Sequence, residues 1–504
     1  MPADPNEPTS AADPVFPSVL CGTLFRAGLA LAAVGWLVLV WGALCTVPGV
    51  PWNPARLAPS FALARGLPIY ALRDSGAQLG WIYGPVFPVW YLPVTLTDNP
   101  TLALLLAGLI NVATLLAPLA LVLRAAGVAH GRSLVAATLA TAVLLVGDHT
   151  YWAGYYFVHV DAVCLALGAA ACVALHHAAH GGDRRWLHVA ALGAALAFWT
   201  KALALPLFVA MPLWLWRERR RDLVGPLLGY LLLWGGLVSI GVFVCFGAEE
   251  VLFNCWLFHT RNPWVGGWAL LGKKVVEALG YAGVWLALLA WAWWDGRRAA
   301  RATAAGHALP LPALPARAAS LARLLLWAAL WQLPLGLLAP LKSGGTLGSL
   351  HSVWWALLAA MIYLWHRWTQ PPSADRRVAA RPALEFALAM LASLVLAGWS
   401  TVEFNGVWTP YRGLEADLAQ ARANVDRIYF PWDPLLTIIT ERRVYPLDDA
   451  LYCLAVAGLE PPPEKIRATV PPDALVVYHD NAYSKFAARY FAPTQRDRNK
   501  AGAR

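Results

Sequence analysis

Eleven apolar runs set the architecture of this chain, at roughly 27–47, 101–124, 133–147, 162–179, 187–200, 203–216, 223–246, 276–294, 320–340, 350–366 and 382–400. A helix crossing the hydrocarbon core of a bilayer needs about 20 apolar residues in succession. Lipid offers the backbone no hydrogen-bond partners, so each run must close its own bonds as a helix. The runs near 133, 187 and 203 are short, and Asp148 and Lys201 stand at their edges, where side chains reach the interface. Composition agrees: 59% of the 504 residues are hydrophobic, only 13% are charged, and mean hydropathy is +0.53. Such a chain needs lipid to cover it.

Basic residues orient the helices. With the N-terminus inside, 18 Lys and Arg residues fall in the inner loops and 8 in the outer ones, and every short inner loop is basic. That asymmetry is what the positive-inside rule requires. The expectation is a multi-pass protein of a bacterial inner (plasma) membrane, with a cytoplasmic N-terminal tail over 1–26 and an extracytoplasmic C-terminus. Residues 1–17 are polar and lack the basic region of a cleavable signal, so the first helix reads as uncleaved. The formal net charge of +10 belongs to the membrane part, because the segment after residue 400 holds 13 basic and 13 acidic residues. The balance therefore reports orientation, and nucleic acid is not an expected partner. The arginine run around Glu218 reads as a solvated inner anchor.

The segment 401–504 differs in kind. Leu414 to Val425 reads as a polar helix, Arg427 to Phe430 and Ala474 to Tyr478 as strands, and Pro461-Pro462-Pro463 separates them. The expected fold class is thus an all-α polytopic membrane protein spanning 27–400, with a small outer-face α/β C-terminal domain. The seven cysteines show neither a disulfide framework nor a zinc pattern. No internal repeat of fixed period stands out, which counts against a two-half transporter.

Between the first two helices lies an aromatic-rich polar stretch, an outer loop over 48–99. It contains Pro51-Trp52-Asn53-Pro54, Arg65-Gly66-Leu67-Pro68-Ile69-Tyr70 and Tyr83-Gly84-Pro85-Val86-Phe87-Pro88. Spanning bundles use short turns, so a loop of this length reads as functional. Ionisable groups at membrane depth are costly and usually have a role or a partner. They collect on the outer side: Arg56, Arg65, Arg73 and Asp74; Asp148, His149, His159 and Asp161; Lys201; His259 and Arg261; and, further on, Lys342 and His351. Together they describe an outward cavity. Carboxylates there can act as general bases or hold a divalent cation, and Lys and Arg can neutralise a phosphate.

Gly66 to Tyr70, Tyr83-Gly84-Pro85, Val160-Asp161-Ala162 and Phe198-Trp199-Thr200-Lys201 resemble the GT-C superfamily of polytopic glycosyltransferases. The chain is most similar to the bacterial polyprenyl-phosphate-sugar-dependent branch, over about residues 25–370. The resemblance implies inverting transfer of a sugar from a polyprenyl-phosphate donor to an acceptor hydroxyl on a glycan, lipid or protein. It also implies a cation near the donor phosphate and a loop carboxylate as base. Asp161 matches the acid opening the fourth helix, and Lys201 the cation after the fifth. Members carry an Asp or Asp-Glu pair soon after the first helix, where this chain has Asn53, which cannot act as a base. Asp74 is the only loop carboxylate before Asp98 and takes that role in this reading.

Each residue also has a plainer role to set against the chemistry. Arg73-Asp74-Ser75-Gly76 is a good polar turn, Asp161 a candidate helix cap, Asp148 an interface turn, and Lys201 a snorkelling helix-end cation. Arg261 reads equally as an exposed loop cation, and the four histidines are individually weak. The reading is a membrane glycosyltransferase with Asp74, Asp161 or Asp148 as catalytic carboxylates and Lys201 with Arg261 on the donor phosphate. A lipid-linked-substrate flippase and a non-catalytic scaffold are the alternatives, and fold likeness alone does not separate them.

Overall fold

A computed structural model describes residues 15–72, 75–76, 79–129, 131–147, 154–264, 267–273, 275–277, 314–343, 345, 347–369, 376–407, 413–478 and 486–491. The membrane part comprises α1 (Val15–Thr46), α2 (Trp52–Ala64), α3 (Val86–Trp90), α4 (Pro100–Ala125), α5 (Gly131–Leu144), α6 (Val160–Gly181) and α7 (Arg185–Phe198). It continues with α8 (Leu207–Arg217), α9 (Arg221–Phe246), α10 (Ala248–Leu252), α11 (Phe258–Arg261), α12 (Ala316–Leu338), α13 (His351–Trp368) and α14 (Arg376–Val407). Six stretches among the described residues are long and apolar enough to cross a membrane, and three shorter apolar helices accompany them. Ten of the eleven apolar runs coincide with helices, and the run 276–294 lies almost wholly outside the described residues. The fold is the all-helical, polytopic membrane fold expected.

The helices pack through small residues, as they must where lipid removes the hydrophobic drive to associate. Gly28, Gly35 and Gly42 fall seven residues apart on α1. A Cβ at these positions would sit 2.6 Å from Phe386, 2.8 Å from Val143 and 2.8 Å from Thr401, so α1 lies tight against α14 and α5. At the centre, α6, α7 and α13 form one core, with Trp354, Trp355 and Trp365 fully buried. Buried indoles retain partners here: Trp355 Nε1 donates to Gln332 Oε1 at 2.9 Å, and Trp365 Nε1 to Thr141 Oγ1 at 2.6 Å. At the other end of the bundle Glu218 takes both guanidinium contacts of Arg323, at 2.9 and 3.1 Å. That arginine-rich turn therefore ties α8 to α12 in addition to meeting solvent.

The first loop is built rather than slack. Asn53 is fully buried; its Nδ2 donates to Val47 O at 2.8 Å and Tyr156 O at 3.0 Å, and its Oδ1 accepts from Val158 N at 2.9 Å. It pins α2 to the approach of α6. Further on, Gly84 N donates to Thr200 O at 3.2 Å, and a Cβ on Gly84 would fall 1.6 Å from Trp199 O. Only glycine fits that approach. The Tyr83-Gly84-Pro85 and Trp199-Thr200-Lys201 elements therefore touch through their backbones.

The C-terminal segment contains α15 (Leu414–Ala423), β1 (Ile428–Tyr429), α16 (Pro434–Glu441), α17 (Asp448–Val456), α18 (Pro463–Arg467) and β2 (Leu475–Val476). Both expected strands form and pair in parallel, Ile428 with Leu475 and Tyr429 with Val476. Leu414, Leu418, Phe430, Leu435 and Ile438 share one core with Leu57, Phe61, Ile69, Trp81 and Phe87 of the first loop. Ala55, Leu447 and Ala450 join α2 to α17, and Trp52 meets Trp432 edge-on at 5.3 Å. The helix expected to stop at residue 400 runs on to Val407.

Asn53→Asp replaces an amide donor by an anion facing two carbonyls. A buried group left unsatisfied in this way costs roughly 1–3 kcal/mol, more when charged. Thermal unfolding of the detergent-solubilised protein, followed by tryptophan fluorescence, is expected to show a lower midpoint for Asn53→Asp and a smaller loss for Asn53→Gln.

Candidate active site

Three chain segments meet on one carboxylate. Asp161 lies in the first turn of α6 and is 1% exposed. Its Oδ1 accepts from Lys201 Nζ and from His351 Nε2, both at 2.6 Å, and its Oδ2 lies 2.5 Å from His159 Nδ1. The position is dictated locally. His159 is the extended residue before α6 and its ring caps the Asp161 N–H at 3.3 Å, so the Asp161 carboxylate is not used as the helix cap and turns to its partners. Lys201 follows the end of α7 in extended conformation, and His351 opens α13.

Above this contact opens a cavity of about 620 Å³. Its polar wall carries Arg56, Tyr83, His159, Lys201, His259 and Lys342. The Tyr83 ring lies near two cations, with Lys201 Nζ 5.7 Å and the Arg56 guanidinium 5.6 Å from its centroid. Arg56 Nη1 is buried and has no hydrogen-bond partner. Lys342 Nζ donates to His259 O at 2.6 Å, and His259 Nε2 sits 3.0 Å from Ile82 O, anchoring the loop to this wall. Burial, opposed by the Ile82 carbonyl and assisted by the nearby Lys201 and Lys342, holds the His259 imidazole below its ordinary pKa. The opposite wall is apolar, and Leu205, Leu252, Trp256 and Leu338 line the cavity while also standing exposed on the helix surface. The cavity thus joins a cationic interior to an apolar side opening.

The sequence-predicted residues divide sharply. Asp161, Lys201, His159 and His351 form one cluster, and His159, Lys201 and His259 line the cavity. Arg261 does not belong there: it is exposed and absent from the lining. Helical periodicity is the reason, because Cys255, Phe258, His259 and Asn262 share the inner face and Arg261 falls outside it. Lys342, with Arg56, supplies the cations at that wall. Asp161 is enclosed and paired with Lys201 and His351. Asp74, Asp148 and His149 lie outside the described residues. Arg65, another loop cation, is neutralised by Asp98 at 2.5 Å. Among the described residues no group of three or more His, Cys, Asp or Glu is arranged to hold a metal, and the six described cysteines are free thiols. A cation-lined wall does not suit the divalent ion considered from the sequence.

No protein-family model matches this chain, and no curated protein matches it in sequence. Its fold does match a solved structure: the crystal structure of ArnT from Cupriavidus metallidurans bound to undecaprenyl phosphate. The match covers 86% of this chain and 88% of that one, with a TM-score of 0.53 and 14% sequence identity. The chain therefore shares the overall fold of that protein.

The buried ion pair carries a clear mutational signature. Removing one partner of such a pair leaves an uncompensated charge and costs about 3–5 kcal/mol, whereas removing both is far milder. Asp161→Asn or Lys201→Met alone is expected to lower the unfolding midpoint strongly, and the double variant to recover most of it, as measured by thermal unfolding in detergent.

Proposed function

We propose that this protein is a membrane glycosyltransferase that takes a sugar from a polyprenyl-phosphate-linked donor and passes it to an acceptor hydroxyl. The observation that carries this reading is the shape of one cavity, in which Arg56, Lys201 and Lys342 face an interior that opens sideways through exposed apolar side chains. A phosphate needs cations with free donor capacity, and Arg56 Nη1 has it. An isoprenoid tail needs an apolar path open to the bilayer. A soluble nucleotide donor needs neither the side opening nor lipid-depth placement.

In this mechanism Lys201 and Arg56 hold the donor phosphate and take up the charge that develops on it as the sugar leaves. Asp161 acts through Lys201: it fixes the ammonium at the cavity floor and keeps it from retreating. Tyr83, which lines the cavity beside both cations, offers an aromatic surface to the donor. A single in-line displacement would invert the anomeric centre. The loop and the C-terminal segment would lie on the outer face, in a bacterial inner membrane, where the acceptor glycan, lipid or protein arrives. The related fold of a protein bound to undecaprenyl phosphate supports a ligand of this class.

Binding of undecaprenyl phosphate to the purified full-length protein, measured by intrinsic tryptophan quenching, tests the assignment. A hydrogen bond to a charged group is worth about 1.5–3 kcal/mol, so Arg56→Ala and Lys201→Met are each expected to weaken binding by roughly 10- to 100-fold. Arg261→Ala, outside the cavity, is expected to bind as the wild type does. Equal binding by all four proteins would remove the cavity from donor recognition.

A further inference from the structure

The proposed transfer needs a base, and among the described residues lining the cavity there is no carboxylate. Two carboxylates among the described residues stand immediately behind its wall. Asp161 is one, enclosed and paired as described. The other is Asp449, on α17 of the C-terminal segment. Three residues of α17 (Tyr452, Cys453 and Val456) line the cavity directly. Asp449 lies one helical turn before Cys453, and its Oδ1 is 3.8 Å from the Cys453 Sγ. The same turn is pressed against the first loop: Ala450 packs with Ala55, and Arg56 is near enough to act electrostatically on the Asp449 carboxylate. A Cβ on Gly80 would lie 2.5 Å from the Ala450 Cβ, so the loop backbone and α17 are in close contact there.

We propose that Asp449 is the general base of the transfer, supplied by the C-terminal segment in place of a carboxylate from the first loop. This inference rests on the glycosyl-transfer reading above. The acceptor oxygen attacks the anomeric carbon of the donor and forms the new glycosidic bond. The bond from that carbon to the phosphate oxygen breaks, and its electron pair leaves with the polyprenyl phosphate. The acceptor proton passes to the Asp449 carboxylate, and Arg56 and Lys201 stay with the phosphate. Asp449 also has suitable acidity. Burial raises its carboxyl to about 6, opposed by Arg56 and assisted by Asp448. A base works best when its pKa lies just below the working pH. Because only the ionised carboxylate accepts a proton, the rate holds above pH 6 and falls as pH drops through that value.

The test uses the full-length protein with a panel of undecaprenyl-phosphate-linked pentoses and hexoses, and reads released undecaprenyl phosphate by mass spectrometry, with water or added glycan as acceptor. Undecaprenyl phosphate binding is measured on the same samples. For Asp449→Asn we expect release to fall by about 10²- to 10⁴-fold, the usual contribution of a positioned base. Binding is expected to stay within twofold and the acid limb near pH 6 to disappear. Asp449→Glu is expected to keep part of the rate with a displaced limb. Wild-type release by Asp449→Asn, or an unchanged acid limb, overturns the proposal. So does a loss of undecaprenyl phosphate binding in Asp449→Asn that Asp449→Glu fails to restore, which would mark a structural role. No release from any donor by the wild type overturns the glycosyl-transfer reading itself, and the base assignment with it.

Discussion

The contact between Asp161 and Lys201 is the constraint on which the cavity depends. Neither charge can be buried alone at this depth without a penalty of several kcal/mol, so each fixes the other. With His351 added, the carboxylate joins positions separated by 40 and 190 residues in sequence. The start of α6, the end of α7 and the start of α13 must therefore all be in place before the charges are satisfied. Once they are, Lys201 projects into the cavity from a floor it cannot leave. The Gly84 approach to Trp199 then lays the first loop across that floor and brings Tyr83 and Arg56 over it.

From this follows a division of labour around one space. The membrane helices provide the apolar side opening and Lys201. The first loop provides Arg56 and Tyr83. The C-terminal segment provides the α17 wall. It has small cores of its own around Tyr429 and Leu451, and it shares a larger one with the loop, where Phe430, Leu435 and Ile438 pack with Leu57, Phe61 and Phe87. The loop and the segment after residue 412 therefore fold onto one another, and any change that loosens one will displace cavity residues carried by the other.

Much of this was legible in the sequence, for definite reasons. Apolar runs of membrane length and the strands at 427–430 and 474–478 have local signatures, and each appears as a helix or strand where described. The quartet Asp161, Lys201, His159 and His351 was legible as well, because ionisable residues at apolar edges are conspicuous. What they do to one another was not: no local pattern says that Asp161 is spent on Lys201. That Arg261 lies outside the cavity lining was not legible, because a loop reading ignores which face of a short helix a residue occupies. Asn53 looked like a missing acid, whereas its three buried hydrogen bonds make it a structural residue in its own right. Asp449 carried no signal at all, since only the folded contact between Ala55 and Ala450 brings it near Arg56.

The central claim is that one cavity joins a phosphate-binding floor to an apolar path into the bilayer. A cryo-electron microscopy structure of the full-length protein with undecaprenyl phosphate in lipid nanodiscs tests it most directly. The phosphate is predicted within hydrogen-bond distance of Lys201 Nζ and Arg56 Nη1, with the isoprenoid chain leaving between Leu205 and Leu338. A phosphate held at the arginine-rich end of the bundle, or a chain that leaves by another route while Lys201 and Arg56 stay free, would contradict it.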